Sequence, residues 1–391
     1  MIKTYKVMLI PNNKQQTKMF QMSGVARFAY NWAIAYERDN HKNGNKFLSD
    51  CELRKIFTRM KQQSEYAWLN AISNNVAKQA IKDVVTAYKN FFDRRTSFPK
   101  FKSRKHSKHS FFVDTAKIRF SDTHVKLEKI TTSRRSNRQA LNWVRLAEYR
   151  RIPIGVKYYN PRVTFDGLHW WLSVGVDEDK SSETSMRQGI GIDLGVKDLA
   201  ICSDGNTYKN INKSHKIKRL MKKKRRLQRR VSKKYLKNRK GGCYKKTRNI
   251  VKSEKQLLRV SHKLTNIRHD YIHQVTSEIV NRKPKFIVVE NLNVKGMMKN
   301  WHLAKAVQDQ GFYEFRRILA YKCEWADIQL IIADRFFPSS KTCSCCGSVN
   351  HDLTLKDRMF ICPECGFTID RDLQAAINLA KYGEKQINNV T

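Results

Sequence analysis

The sequence predicts an α/β domain built around a mixed β-sheet, preceded by a helical region and a β-rich region. Three observations predict this organisation. Residues 187–381 alternate apolar, strand-like runs with long helical patterns, residues 111–176 hold short runs of alternating apolar and polar residues, and residues 14–92 place apolar residues at helical steps. The chain has 391 residues, 40% of them hydrophobic, which is enough for two or three domains with their own cores.

The first 92 residues predict one strand followed by helices. Residues 3–10 alternate like a strand, and a Pro-Asn-Asn turn ends the pattern. Helical spacing then runs through Lys14 to Asn40, Leu48 to Lys61 and Asn74 to Phe92. We expect the aromatic residues of these helices to form a core rather than a binding surface.

A basic loop and a set of short strands follow the helices. Residues 94–110 are rich in Lys and Arg, and are either a solvated linker or a loop that contacts phosphates. The alternating runs of residues 111–176 indicate a small antiparallel barrel. Strand 3–10 is expected to join this barrel, with the helices inserted between. A polar, acidic stretch at 177–186 is expected to be a linker.

The second half of the chain opens on an acid in an apolar strand. Residues 187–200 predict a strand that ends in Asp193, a turn at Gly195 and a second strand. An unpaired charge in a buried strand costs several kcal/mol, on the order of 2–7 for a polar group alone. Asp193 therefore needs a partner, and a metal ion is one candidate.

The next segment is the most basic part of the sequence. Residues 213–248 hold 19 Lys and Arg and no Asp or Glu, with a thin apolar stripe at helical spacing. A Gly-Gly pair at 241–242 ends this helix, and a second helix is expected from about Arg248 to Asn281. Such a run is usually a solvated face, but without acids it cannot pair within itself. Phosphates are the expected counter-charge.

The overall charge points in the same direction. Lys and Arg number 78 against 34 Asp and Glu, a net charge of +44, which implies an extended polyanion as partner. Nucleic acid is the first interpretation and an acidic membrane surface the second. No window is apolar for 18 residues, and the N-terminus does not resemble a signal peptide, so we expect no membrane partner and a cytoplasmic location.

Five of the nine cysteines lie close together. Cys343 and Cys346 form one CxxC pair, and Cys362 and Cys365 form a second after fifteen residues. This spacing is typical of a four-cysteine zinc ribbon in a reducing compartment, with one closed, structural Zn²⁺. Cys345 is left out because it would remove the two-residue gap.

Two further acids are candidates to meet Asp193. Glu290 closes the strand-like run FIVVE, Asp372 lies in the first turn of the last predicted helix, and strand ends and helix starts can share one edge of a sheet. Carboxylates so placed can hold two divalent metals, ~3.5–4 Å apart, for phosphodiester hydrolysis, and Mg²⁺ prefers few carboxylates plus water and phosphate. Alternatively, Asp193 caps a turn, Glu290 pairs with a lysine, and Asp372 interacts favourably with the positive end of the helix dipole.

The motifs resemble those of the TnpB family of transposon-encoded, RNA-guided DNA nucleases, relatives of type V CRISPR effectors. GIDLGVKDLA, VVENLNVKGMMKN, RFFPSSKTCSCCG, CPECG and DRDLQAAINLA follow one another in the family's order, and YNWA and FFDRRTSFPKFKSRK also match. The resemblance covers essentially the whole chain. It implies a catalytic triad of Asp193, Glu290 and Asp372, with Asp370 as a cap or supporting group. The family's Asn two places after that acid is Gln374 here.

The resemblance also implies a fold and its boundaries: α/β plus β, with a RuvC-like nuclease domain of RNase H fold (187–338 and 369–391) interrupted by a zinc ribbon (339–368). It further implies an OB-like wedge barrel (1–10 and 93–180) into which a helical recognition domain (11–92) is set. With all three acids present, the chain is not expected to be one of the family's nuclease-dead relatives.

The implied activity is cleavage of double-stranded DNA beside a short transposon-adjacent motif, directed by a noncoding guide RNA that pairs with the target. Two Mg²⁺ ions would serve the triad, in a prokaryotic cell and near the nucleoid. The alternatives are a nonenzymatic RNA-guided regulator of transposition and an unguided, structure-specific RuvC-type nuclease. The expected nucleic-acid contacts are Lys78, Gln79, Lys82, Lys102, Arg104, Lys222, Arg225, Arg226, Arg229 and Arg230.

Overall fold

A computed structural model describes residues 1–131, 140–178, 188–354 and 357–388. The chain divides into two compact units, Met1–Asp179 and Lys180–Thr391, and each is described by itself. Of the predicted linker 177–186, residues 179–186 lie outside the described residues, as does Arg187 at the start of the predicted α/β domain.

Three α-helices lie within residues 1–92 of the first unit, all of which the structure describes: α1 (Asn13–Lys42), α2 (Asp50–Met60) and α3 (Asn74–Phe92). They begin where capping side chains satisfy the free N–H groups of the first turn. Asn12 caps α1 and Ser49 caps α2, each in a reciprocal capping box. A short 3-10 helix, Ser64–Ala71, lies between α2 and α3. The predicted helices are all present.

Seven antiparallel strands form the sheet of the first unit. They are β1 (Ile2–Ile10), β2 (His109–Phe112), β3 (Arg119–Phe120), β4 (His124–Lys126), β5 (Trp143–Leu146), β6 (Tyr158–Phe165) and β7 (Trp170–Asp177). Their order is β2-β6-β7-β1-β5-β4-β3. Strand β1 lies between β7 and β5, so the prediction that the N-terminal strand joins the later ones is confirmed. Closure into an OB-like barrel stays a prediction, because β2 and β3 are the two ends of this order.

The sheet of the second unit is mixed, as predicted. Its strands are β8 (Ile190–Asp193), β9 (Asp198–Cys202), β10 (Thr207–Lys209), β13 (Phe286–Val289) and β14 (Gln329–Ile332), in the order β10-β9-β8-β13-β14. The first three strands form an antiparallel meander, and β13 pairs in parallel with both β8 and β14. The strand β10 is an addition to the predicted elements.

The described part of this unit contains six α-helices. They are α4 (His215–Lys237), α5 (Arg248–Asn281), α6 (Val294–Met297), α7 (Trp301–Gln310), α8 (Phe312–Trp325) and α9 (Arg371–Asn388). Helices α5 and α8 pack on one face of the sheet, and α9 packs on the other. The sequence pattern of residues 300–323 predicts one helical region, whereas the structure has two helices, α7 and α8, which meet at Gly311.

Two small ribbons complete the unit. Strands β11 (Arg239–Lys240) and β12 (Cys243–Tyr244) join α4 to α5, and β15 (Met359–Ile361) and β16 (Thr368–Asp370) lie between β14 and α9. The β15–β16 ribbon carries the cysteine cluster's second CxxC pair between its strands. No helix among the described residues is long and apolar enough to cross a membrane.

Candidate active site and metal centre

The strand register brings Asp193 and Glu290 to the same edge of the sheet. Strands β8 and β13 are parallel, and the last residues paired between them are Ile192 and Val289. The next residue of each strand is therefore Asp193 and Glu290. Carboxyl ends of parallel strands meet at one edge of a sheet, which is where ligand sites of α/β folds lie. This convergence was predicted from the sequence alone.

Gly191 brings the third acid to that edge. A Cβ atom on Gly191 would lie 2.0 Å from the carbonyl oxygen of Ala376, so α9 packs directly on the backbone of β8. Side chains alternate along a strand, so Asp193 faces the same side as Gly191. Because α9 begins at Arg371, its first turn carries Asp372 to the edge where β8 ends.

Asp370 acts at the start of α9. Its carboxylate accepts hydrogen bonds from the backbone N–H groups of Asp372 (2.9 Å) and Leu373 (3.2 Å), which is the geometry of an N-cap. Asp372 instead lies beside two arginines, at 3.5 Å from Arg371 and 3.9 Å from Arg358. The two acids of the DRD motif therefore have different surroundings.

The three candidate acids act on one another electrostatically. Burial raises the pKa of Asp193 well above its usual range, and Glu290 and Asp372 raise it further. Burial likewise raises the pKa of Glu290, with Asp372 adding to the effect and the Ser339 hydroxyl opposing it. Like charges in a site of low polarity are poorly tolerated without a cation. A divalent metal is the partner that this donor set fits, since hard cations prefer carboxylate oxygens.

The Ser339 hydroxyl donates a 2.6 Å hydrogen bond to Oε1 of Glu290, a contact the sequence analysis missed. Gln374 and Asn378, both buried on α9, hold the backbone near Ser339. Only the FPSSK motif, which precedes the first CxxC pair, signals this arrangement in the sequence. From the sequence, Gln374 stands out only as a departure from the family pattern.

The four predicted cysteines form a candidate metal centre. Their sulfur atoms, from Cys343, Cys346, Cys362 and Cys365, all lie within 4.8 Å of one another, which suits one tetrahedral ion such as zinc. Gly347 and Gly366, one after each pair, have φ of 81° and 69°, values that favour glycine. Among the described residues, this is the group of possible metal ligands that lie so close together.

The ten expected nucleic-acid contacts fall into two groups. Eight are exposed: Lys78, Lys82, Arg104, Lys222, Arg225, Arg226, Arg229 and Arg230. Gln79 is half-buried and donates to Asp83 at 2.9 Å. Lys102 is also half-buried, with its ammonium 3.5 Å from the centre of the Tyr30 ring, and burial lowers its pKa. Their contact with nucleic acid stays a prediction.

Three family models match the chain. They are described as a helix-turn-helix domain (residues 1–46), a probable transposase (residues 172–301) and a Cas12f1-like TNB domain (residues 312–379). The first and second belong to the OrfB group of the IS605 type. Over residues 1–46 the structure contains strand β1 and the single long helix α1.

Curated relatives align along nearly the whole chain. A protein of Escherichia coli (strain K12), named "Putative RNA-guided DNA endonuclease InsQ", is 29% identical over 398 residues, which cover 98% of this chain and 92% of that protein. A Streptomyces pristinaespiralis protein of the same description is 29% identical and covers 97% and 89%. Mimivirus proteins named TnpB-like are 29% identical over 140 residues, 34% of this chain.

Solved structures share the fold at low sequence identity. A Cas12f1 complex with guide RNA and target DNA has a TM-score of 0.56 at 14% identity, covering 94% of this chain and 82% of that one. The mini RNA-guided endonuclease CRISPR-Cas phi3 has a TM-score of 0.52 at 9% identity, covering 97% and 92%. The transposase match, the full-length relatives and the motifs in their order together support the resemblance of this chain to the TnpB family.

Proposed function

We propose that this protein is an RNA-guided endonuclease that cuts double-stranded DNA for a transposable element. The observation that carries the proposal is the meeting of Asp193, Glu290 and Asp372 at one sheet edge. The E. coli and Streptomyces relatives, whose names describe RNA-guided DNA endonucleases, support it. We further propose the finer fold: an RNase H-like RuvC nuclease domain with an inserted zinc ribbon, beside an OB-like wedge barrel that holds a helical recognition domain.

The triad is the part of the chain that acts on the scissile phosphate. Asp193 and Glu290 would hold Mg²⁺ from the strand ends, and Asp372 would hold it from the first turn of α9. Two bound Mg²⁺ ions would activate a water and stabilise the leaving oxygen of the phosphodiester. Arg371 and Arg358 lie beside Asp372, where their positive charges would attract an incoming phosphate.

The other charged surfaces would hold the nucleic acids. Helix α4 packs Ile217 and Leu227 in one apolar cluster with residues of α5 and leaves most of its basic residues exposed, which suits the phosphates of a folded guide RNA. Pairing with the guide would read the target sequence, so the protein has to recognise only backbone shape and a short adjacent motif. We assign that motif to the first unit. The place of action would be the bacterial cytoplasm, at the nucleoid.

The test begins with RNA. Protein purified from cells that carry its own element should copurify with one stable noncoding RNA, which sequencing identifies. With Mg²⁺, the complex should then cut a plasmid that matches the RNA, when a library of flanking sequences supplies the adjacent motif. Cutting that persists after the RNA is removed would overturn the guided part. Binding to the matched target without cutting, unchanged by Asp193→Ala, would instead indicate a nonenzymatic regulator.

A further inference from the structure

The residues around Glu290 form a chain of buried polar contacts that reaches the cysteine centre. Ser339 is 5% exposed and lies four positions before Cys343. Its hydroxyl donates to Oε1 of Glu290 at 2.6 Å. A hydrogen bond from a buried hydroxyl to a carboxylate is charge-assisted. Such a bond is shorter and roughly twice as strong as a hydrogen bond between two neutral groups. It occupies one carboxylate oxygen and leaves the other for a metal.

Two amides of α9 fix the backbone on which Ser339 lies. Asn378, 4% exposed, donates from Nδ2 to the carbonyl oxygens of Ser339 (2.7 Å) and Thr342 (2.6 Å). Gln374, fully buried, donates from Nε2 to the same Thr342 carbonyl at 2.5 Å and accepts from the Ser344 hydroxyl at 2.8 Å. The segment 339–344 is therefore held at both ends by one helix.

That helix also carries Asp372. Residues 374 and 378 are one turn apart, so their side chains lie on one face of α9, two and six positions after the acid. Thus one rigid element presents the third carboxylate and fixes the serine that contacts the second one. Buried polar groups are costly unless they are paired, and here each donor named has its acceptor. The arrangement suits the precise placement of a ligand rather than simple packing.

We propose that Ser339 is a positioning residue for Glu290, and that Gln374 and Asn378 set its position by fixing the chain that enters the cysteine ribbon. The proposal rests on the proposed function, in which Glu290 holds Mg²⁺. Partners that orient a metal-binding side chain typically contribute about 10–100-fold to metal affinity or activity. Ser339 acts through Glu290 and does not itself touch the reacting atoms.

The test compares neighbouring serines in the guide-bound protein. The variants are Ser339→Ala, the conservative Ser339→Thr, and Ser340→Ala as the matched control, because the Ser340 hydroxyl makes no hydrogen bond to the part of the chain that the structure describes. The first readout is the Mg²⁺ concentration that gives half-maximal cutting. The second is oxidative cleavage of the protein backbone by Fe²⁺ bound in place of Mg²⁺, with added H2O2 as the oxidant and ascorbate to regenerate Fe²⁺, which reports metal at the carboxylates without any DNA.

The Ser339→Ala complex should need about 10-fold more Mg²⁺ for half-maximal cutting, and more Fe²⁺ for the same backbone cleavage. The Ser340→Ala complex should behave as wild type. The Ser339→Thr complex should recover most of the loss. Asn378→Asp should reproduce the Ser339→Ala effect, and the double variant should lose less than the product of the two. Equal metal dependence of the two alanine variants would overturn the proposal. A wild-type complex that cuts no DNA, yet shows Fe²⁺ cleavage at the carboxylates, would overturn the proposed function while leaving the positioning role testable.

Discussion

Asp193 and Glu290 show what burial does to acids that share a site. Both carboxyl groups have raised pKa values because they are buried close to further negative charge. Each therefore destabilises the fold when it is ionised without a counter-ion. Selection for stability alone would replace them with apolar residues, so their presence is explained by the metal that they would bind.

Replacing Asp193 with Asn should separate function from folding. Asn keeps the shape but removes one of the mutually repelling charges, so we expect an unchanged or higher Tm in the absence of added Mg²⁺. Cutting should fall by more than about 100-fold, because a metal ligand contributes more than the groups that orient it. Thermal unfolding, guide-RNA binding and plasmid cutting measure the three effects. A variant that no longer folds would indicate a structural role for Asp193.

Gly191 should be intolerant of any side chain. Its added Cβ would lie 2.0 Å from the backbone of α9, so Gly191→Ala has to push the helix and Asp372 away. We expect a loss of about 1–3 kcal/mol, the usual cost of overpacking, and weaker cutting. The control is Gly242→Ala, where nothing lies within 4 Å of the added atom. Equal unfolding free energies of the two variants, measured in urea, would contradict the close packing of α9.

The acids could be predicted from the sequence, but the groups that support them could not. Asp193 interrupts an apolar run and Glu290 ends one, so the local sequence pattern identifies both acids. Ser339 contacts Glu290 across 49 positions, and Gln374 reaches Thr342 across 32. Such hydrogen bonds depend on where α9 lies, and no periodicity encodes that distance.

At the scale of elements, the contact between α5 and α8 contains an unusual buried cluster. Lys322 of α8 donates to the carbonyl of His273 at 2.6 Å and to the hydroxyls of Thr276 and Ser277. Burial lowers the pKa of Lys322 to about 8. It also lowers the pKa of His273 to about 4, with His269, Lys322 and Arg317 adding to the effect and Asp270 opposing it. His273 is thus held neutral between two helices.

The protein should lose stability in mild acid because of His273. Its folded-state pKa lies below the usual 6.5, so the unfolded chain binds more protons between pH 6.5 and about 4. Stability should therefore fall as the pH is lowered through this window. Replacement by Gln, which cannot be protonated, should flatten the dependence of Tm on pH there. Parallel pH profiles for the wild type and His273→Gln would show that other groups control the acid sensitivity.

The exposed arginines of α4 should bind RNA through charge. Replacing Arg225, Arg226, Arg229 and Arg230 with Gln removes up to four phosphate contacts, and each lost contact should reduce the salt slope of binding by about 1. We expect a weaker affinity for the copurified RNA at all salt concentrations, measured by filter binding. Lys at the same four positions keeps the charge and should keep most of the slope. An unchanged slope in the Gln variant would place the RNA elsewhere.

Elements with strong local signals were predicted well. Helices α3 and α5 begin and end at the predicted residues, because capping residues and long apolar stripes mark them. The three-residue strand β10 was missed, since so short a run has no periodicity. The separation of α7 from α8 was also missed, because a single glycine in a helical pattern is ambiguous until its backbone angle is known.

At the scale of the whole molecule, charge is the dominant property. A net charge of +44 on 391 residues makes the folded chain repel itself until a polyanion or salt screens it. The names of the relatives describe proteins guided by RNA. A bound guide RNA would explain how a folded protein keeps so large a positive charge. The guide would serve as a permanent counter-charge as well as a source of sequence information.

This view predicts opposite responses to salt for the free and the guide-bound protein. The Tm of RNA-free protein should rise as NaCl increases from 50 to 500 mM, since the screening length shortens from above ~10 Å at 0.1 M towards ~3 Å at 1 M. The Tm of the complex should start higher and fall over the same range, because counter-ions compete with the lysines and arginines for phosphate. Differential scanning fluorimetry of the two samples, with sucrose to control for nonspecific stabilisation, measures both trends. Two parallel curves would mean that self-repulsion does not limit the stability of the free chain, and that the basic residues are arranged for recognition alone.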